Sequence, residues 1–281
     1  MTPEEIIKSI EMLPPFPATA AKAVAELEQP EPDFKKVVEL ISLDPNIVAN
    51  ILRLCNSPYY GLVRQISSVS EAVVILGIDE LREIIFASGL NRVYPKKKGG
   101  YSAKPGELWQ HSSACAIMSR IIMRKVNIQN SPAVFTAALM HDIGKIVLGW
   151  YIDKEAPNIK DAALSEEKDF CELEQEFFGI DHAELGAKIA EAWNFPESLS
   201  IPIKHHHHPE SSNGGFEDVT RVVHLSDVLS LYMGLGTSLD GLAYRPVKEA
   251  LEYFDFSQED LEDIMASFMA EYERASVLMS I

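Results

Sequence analysis

The stretch Ala137-Ala138-Leu139-Met140-His141-Asp142-Ile143-Gly144-Lys145 closes an apolar, helix-like run with an imidazole and a carboxylate side by side. Polar groups set where the pattern calls for packing cost free energy unless partners satisfy them. Within a regular helix successive side chains diverge by roughly 100°, so His141 and Asp142 could not both face one point from mid-helix. A helix end relaxes that restriction. Gly144 is read as the terminator just past the pair, and Lys145 as a cation that neutralises terminal carbonyls or reaches a bound anion. Taken alone, the dipeptide also fits a hydrogen-bonded structural couple.

Helix signals flank this stretch in both directions, while alternating runs bounded by hairpin turns are scarce. Thr2-Pro3-Glu4-Glu5 combines a cap, a proline at the first helical position and a Glu three residues after the cap. Asp44-Pro45 repeats the device, and Ile47, Val48, Ile51, Leu52 and Cys55 follow at helical spacing. Ser68 and Glu71 form a capping-box pattern, Gly77 is a stop, and Asp79 is positioned to cap a helix carrying Leu81, Ile84, Ile85 and Leu90. After the linker Tyr94-Pro95-Lys96-Lys97-Lys98-Gly99-Gly100, helices are expected over 107–125 and 132–142, the second opened by Ser131-Pro132. Further helices are expected over 166–178, 182–193, 217–233, 245–253 and 257–278, with breaks at Asn194-Phe195-Pro196 and Ser212-Asn213-Gly214-Gly215. No fixed-period repeat is present.

The 281 residues are 47% hydrophobic and 24% charged, enough for one large or two modest domains. A net charge of −17 repels polyanions, so binding to a nucleic-acid backbone is not expected, and the Lys96–Lys98 run reads as a solvated loop. Cys55, Cys115 and Cys171 form no Cys-x-x-Cys pair, which argues against a disulfide framework and a thiolate zinc site. No apolar run of membrane-spanning length and no signal-peptide profile is seen; a cytoplasmic protein without membrane attachment is expected.

All eight histidines lie beyond residue 110. The candidate ligands are His111, the pair His141-Asp142, His182 in Asp181-His182-Ala183-Glu184-Leu185-Gly186, the run His205 to His208, and Asp227 in His224-Leu225-Ser226-Asp227. Neutral imidazoles with carboxylates suit iron, manganese, zinc or nickel; magnesium and calcium prefer oxygen throughout. At most two of the four consecutive histidines should serve one centre. Each residue has a plainer reading too: His111 as a satisfied core residue, His182 as a helix-start residue beside its cap Asp181, Asp227 as the partner of His224 one turn back, and the four-histidine run as an exposed loop. Because imidazoles coordinate when neutral, metal affinity is expected to weaken as pH falls through about 6.5.

Read together, His111, His141-Asp142-Ile143-Gly144-Lys145 and Asp227 resemble the ligand pattern of the HD superfamily of metal-dependent phosphohydrolases. Leu13-Pro14-Pro15-Phe16-Pro17, Ile41-Ser42-Leu43-Asp44-Pro45, Leu54-Cys55-Asn56-Ser57-Pro58-Tyr59-Tyr60-Gly61 and Ala72-Val73-Val74-Ile75-Leu76-Gly77 resemble the HDOD domain family over roughly residues 6 to 235. The resemblance implies an all-α fold in which an N-terminal helical bundle, residues 1–98, packs on an HD-like metal-binding domain, residues 99–281. It also implies a bacterial signalling or regulatory module with a signalling protein as partner. His182 with Gly186 is similar to the His-x-x-x-Gly segment of HD-GYP phosphodiesterases, and His206-His207 to their paired histidines. That mapping gives a metal set of His111, His141, Asp142, His182, His206, His207 and Asp227 for one or two divalent ions. Asp142 would bridge them, with Lys145 near a substrate phosphate. The alternative function it implies is a phosphohydrolase or phosphodiesterase acting on a nucleotide, a cyclic dinucleotide or another phosphate-containing small molecule. The chain departs from HD-GYP enzymes after the histidines, where His208-Pro209-Glu210-Ser211-Ser212 stands without a Gly-Tyr-Pro segment.

Overall fold

A computed structural model describes residues 2–97, 99–102, 104–126, 132–165, 168–236 and 248–279. Lys98, Ser131 and the expected helix starts at 166–167 and 245–247 lie outside these residues. The chain is all-α, with no strand among the described residues. It divides into two compact units, one of Pro14–Val93 with Tyr272–Ile281 and one of Met1–Leu13 with Tyr94–Glu271. Helix α1 (Pro3–Lys8) carries the expected capping box: Thr2 Oγ1 accepts from Glu5 N at 3.4 Å and Glu5 Oε2 accepts from Thr2 N at 3.0 Å.

In the Pro14–Val93 unit, α2 (Ala18–Leu27), α3 (Phe34–Ser42), α4 (Pro45–Cys55) and α5 (Val69–Leu90) bury Leu27, Val37, Ile41, Ile47, Ile51, Leu81, Ile84 and Ile85. Asp44 caps α4 by accepting from Asn46 N at 3.1 Å and Ile47 N at 3.4 Å, and its carboxylate also pairs with the Arg92 guanidinium. Asn56 closes the loop after α4 like a brace, donating Nδ2 to Ile66 O at 2.8 Å and accepting from Ile66 N at 2.7 Å. Gly77 interrupts α5 with φ 76° and ψ 177°, a conformation essentially reserved for glycine. The expected stop is thus a break inside one long element. Asp79 receives Arg82 Nη2 at 2.8 Å, and no cap hydrogen bond from it is seen.

The other unit is built from α6 (Glu107–Lys125), α7 (Pro132–Met140), α8 (Gly144–Ser165), α9 (Phe170–Phe178), α10 (His182–Ala192), α11 (Glu197–His205), α12 (Glu217–Tyr232), α13 (Lys248–Tyr253) and the part of α14 (Gln258–Met279) up to Glu271. Helices α6 and α12 are buried on nearly every face, as central helices are, and they pack on each other and on α7; α10 packs on α8 and α11. The stretch Ala133–Asp153 is long and apolar enough by composition to cross a membrane, yet 89% of its most apolar window is buried inside this core.

Between α7 and α8 the chain makes a tight turn of i→i+3 bonds: Ile143 N to Met140 O at 2.8 Å, Lys145 N to Asp142 O at 2.9 Å and Ile146 N to Ile143 O at 3.1 Å. Gly144 is therefore not a terminator but the first residue of α8. Its role is close approach: a Cβ there would sit 2.0 Å from His182 O and 2.8 Å from Gly186 N of α10. Helices α8 and α11 are absent from the sequence expectations, because Gly144 reads as a stop and because Pro196 and Pro202 punctuate α11.

Candidate metal centre

Five elements deliver the side chains. His111 comes from the first turns of α6, His141 and Asp142 from the turn between α7 and α8, His182 from the first position of α10, His206 and His207 from the end of α11, and Asp227 from α12. Asp181 caps α10 by accepting from Glu184 N at 2.7 Å, which fixes His182 at the helix mouth. His111, His141, Asp142, His182, His206 and Asp227 are all buried, and His207 is half-buried. His205 is half-buried outside the cluster, and the exposed His208 lies 3.5 Å from Glu210.

A shared hydrogen-bonding pattern orients the rings. Nδ1 of His111 lies 2.6 Å from Leu235 O, Nδ1 of His141 2.7 Å from Ala138 O, and Nδ1 of His206 2.7 Å from Ile203 O. A carbonyl oxygen only accepts, so each Nδ1 carries a proton, and in the neutral ring each Nε2 presents a lone pair. His182 follows the same rule with a carboxylate, its Nδ1 lying 2.7 Å from Glu174 Oε2. The four Nε2 atoms converge on two carboxylates. Asp142 Oδ2 lies 3.3 Å from His141 and 3.5 Å from His111, whereas Asp142 Oδ1 lies 3.4 Å from His182 and 3.9 Å from His206. Asp227 Oδ1 lies 3.0 Å from His111 and 3.8 Å from His141, and Lys145 Nζ donates to Asp142 Oδ2 at 2.8 Å. His182 and His207 bring their Nε2 atoms to 2.9 Å. His224 donates Nδ1–H to the His206 carbonyl at 2.7 Å and so steadies the backbone that carries the histidine pair.

Two potential ligand groups result, His111, Cys115, His141 and Asp227 in one and Asp142, His182, His206 and His207 in the other, with the ligand atoms of each within 4.8 Å of one another. His141 Nε2, His206 Nε2 and Asp142 Oδ1 form no hydrogen bond although fully buried. Buried acceptors left in that state are costly unless something electropositive lies between them. The donor set therefore fits a divalent metal ion.

The electrostatics differ between the groups. Burial pulls the His141 ring down, but Asp142, Cys115 and Asp227 outweigh it and push the pKa up to about 9. The same burial acts on His111, where Cys115 and Asp227 override it and hold the ring well above the ordinary imidazole value. Burial, joined by neighbouring imidazoles, drives His206 and His207 well below theirs. Burial would raise Asp142, yet His141, Lys145 and His182 keep its carboxyl well below the usual carboxylate range.

The HDOD domain profile matches residues 13–209, well over half of the chain. The chain belongs to the HDOD family. The match with an uncharacterized protein of Treponema pallidum (strain Nichols) is 24% identical and covers 72% of this HDOD chain but 39% of that protein, so the chain spans well under half of that relative's length. A crystal structure of an HDOD domain protein of unknown function from Geobacter sulfurreducens superposes with a TM-score of 0.77 at 25% identity, covering 97% of this chain and 96% of that one. A candidate phosphohydrolase from Shewanella amazonensis SB2B shares the fold with a TM-score of 0.74 at 22% identity, covering 98% and 97%.

The HDOD fold also brings in residues that spacing did not reveal. Glu174 of α9, fully buried, accepts from His182 Nδ1, from His182 N at 2.8 Å and from the Tyr101 hydroxyl. It fixes both the ring and the backbone of His182. Its one signal in the sequence is position: Glu174 falls on the apolar stripe with Phe170, Leu173 and Phe178, where an acid needs a partner. Cys115 lies one turn beyond His111, and Leu235, just past α12, supplies the carbonyl that orients His111.

Proposed function

We propose that this HDOD chain is a bacterial regulatory module whose helical core is organised around a divalent-metal centre. The inward turn of four imidazole Nε2 atoms, enforced by their Nδ1 hydrogen bonds, around the two oxygens of Asp142 is the observation that carries the reading. His111, His141 and Asp227 would hold one ion, and His182, His206 and His207 a second, with Asp142 offering an oxygen to each. Iron, manganese, zinc and nickel are the ions that this donor set suits. Near-complete burial supports a centre that stabilises and signals a loaded state to a protein partner.

A second reading, hydrolysis of a phosphate ester, draws on Lys145 beside Asp142 and on the likeness to a candidate phosphohydrolase. When bound, the metal would supply Lewis-acid polarisation and an acidified water. Asp142 would hold the ion positions together, and Lys145 would offset charge on the phosphate oxygens. Elemental analysis of the purified chain, followed by assay of a simple phosphodiester and of cyclic dinucleotides with manganese or iron, decides between the readings. Stoichiometric metal without turnover is the expected result. Turnover that disappears in folded Asp142→Ala would establish the second reading, and wild-type protein that retains no metal would overturn both.

A further inference from the structure

No metal-binding motif accounts for Cys115, yet it stands in the first ligand group. It follows His111 by one turn of α6, is fully buried, and projects from the same helix face. Its Sγ lies 3.6 Å from His111 Nε2 and 3.8 Å from Nδ1, and within 4.8 Å of ligand atoms of His141 and Asp227. His141 Nε2, fully buried and without a hydrogen bond, is turned into the same space. Sγ is nearly equidistant from the two ring nitrogens and so lies over the face of the His111 imidazole, one side-chain rotation away from sharing an ion with Nε2.

We infer that Cys115 is a thiolate ligand of the ion held by His111, His141 and Asp227, giving that position two imidazoles, one thiolate and the carboxylate of Asp227, beside the oxygen that Asp142 offers. This rests on the metal reading above. Sulfur binds the metal as thiolate, any proton on it passing to solvent, and no electron is transferred. The consequence is chemical asymmetry. The Cys115 position is soft and takes zinc ahead of manganese, whereas the Asp142, His182, His206 and His207 position offers only nitrogen and oxygen and accepts harder ions.

Cobalt(II) loaded into the chelator-treated full chain tests this, because thiolate-to-cobalt charge transfer absorbs in the near ultraviolet, apart from the visible ligand-field bands. Wild type and Cys171→Ala should both show the charge-transfer band. Folded Cys115→Ala should keep visible bands and lose charge transfer. If Cys115→Ala does not fold, the double variant Cys55→Ala/Cys171→Ala, in which Cys115 is the remaining thiol, must still show the band. Bound cobalt without charge transfer in wild type, or a band that survives Cys115→Ala or vanishes in Cys171→Ala, overturns the Cys115 assignment and leaves the metal centre standing. Failure of the wild type to take up cobalt overturns both.

Discussion

His141 and His206 use the same local device. Each ring stands at the end of a helix and donates Nδ1–H to the carbonyl three residues back, satisfying a terminal acceptor while turning Nε2 inward. The pair His141-Asp142 was legible in the sequence because adjacent polar residues interrupt an apolar run; Glu174 was not, because Glu172 and Glu176 beside it are ordinary exposed acids. The pH dependence follows from the protons that metal must displace. His141 is raised to about 9 and His111 well above the ordinary imidazole value, so at neutral pH metal must displace a proton from each ring. Affinity at the first position should therefore climb by up to about tenfold per pH unit for each proton displaced, with the His141 contribution ending near pH 9. The window lies higher than the 6.5 expected from an unperturbed imidazole. Competition titrations with a chromophoric chelator would measure it, and a flat profile between about pH 7 and 9 would refute the assignment. Glu174→Gln should weaken metal binding on the order of 10–100-fold while leaving the fold intact, as loss of a ligand-orienting carboxylate does. Unchanged affinity would mean that His182 is held in place without it.

At the scale of elements, two glycines separate steric need from backbone need. Gly144 has helical geometry but no room, with His182 O 2.0 Å from where a Cβ would lie. Gly77 has room, with nothing within 4 Å, but a φ of 76°. Gly144→Ala should force α8 from α10, cost more than about 2 kcal/mol and impair metal retention through His182. Gly77→Ala should cost about 1–3 kcal/mol through strain and leave metal content unchanged. Denaturant unfolding paired with elemental analysis checks both, and equal effects on metal content would contradict the distinction. Caps were readable because Thr2, Asp44 and Ser68 act on residues two or three positions away. Helix α8 was hidden because the meaning of Gly144 depends on a partner helix some forty residues on, and a lone glycine in a sequence reads as a break.

For the whole molecule, all-α character was legible because capping and periodicity are local, whereas the meeting of His111, His141, His182 and Asp227 was not. Their separations along the chain carry no distance information, and the likeness to a family supplied what spacing could not. In a chain with a net charge of −17, Lys145 is a buried cation paired with Asp142. Because ions bind the folded chain and not a preformed site in the unfolded one, free metal at about 1,000 times its Kd should stabilise the protein by about 4 kcal/mol. Thermal unfolding with and without chelator would show it, and identical curves would contradict it. The most direct measurement is an anomalous-scattering map from crystals of the metal-loaded chain. A divalent-metal centre predicts a peak within coordination distance of Asp142 and of His111, His141 and Asp227 or of His182, His206 and His207. A map with no peak there, or with metal confined to the exposed His208, would contradict it.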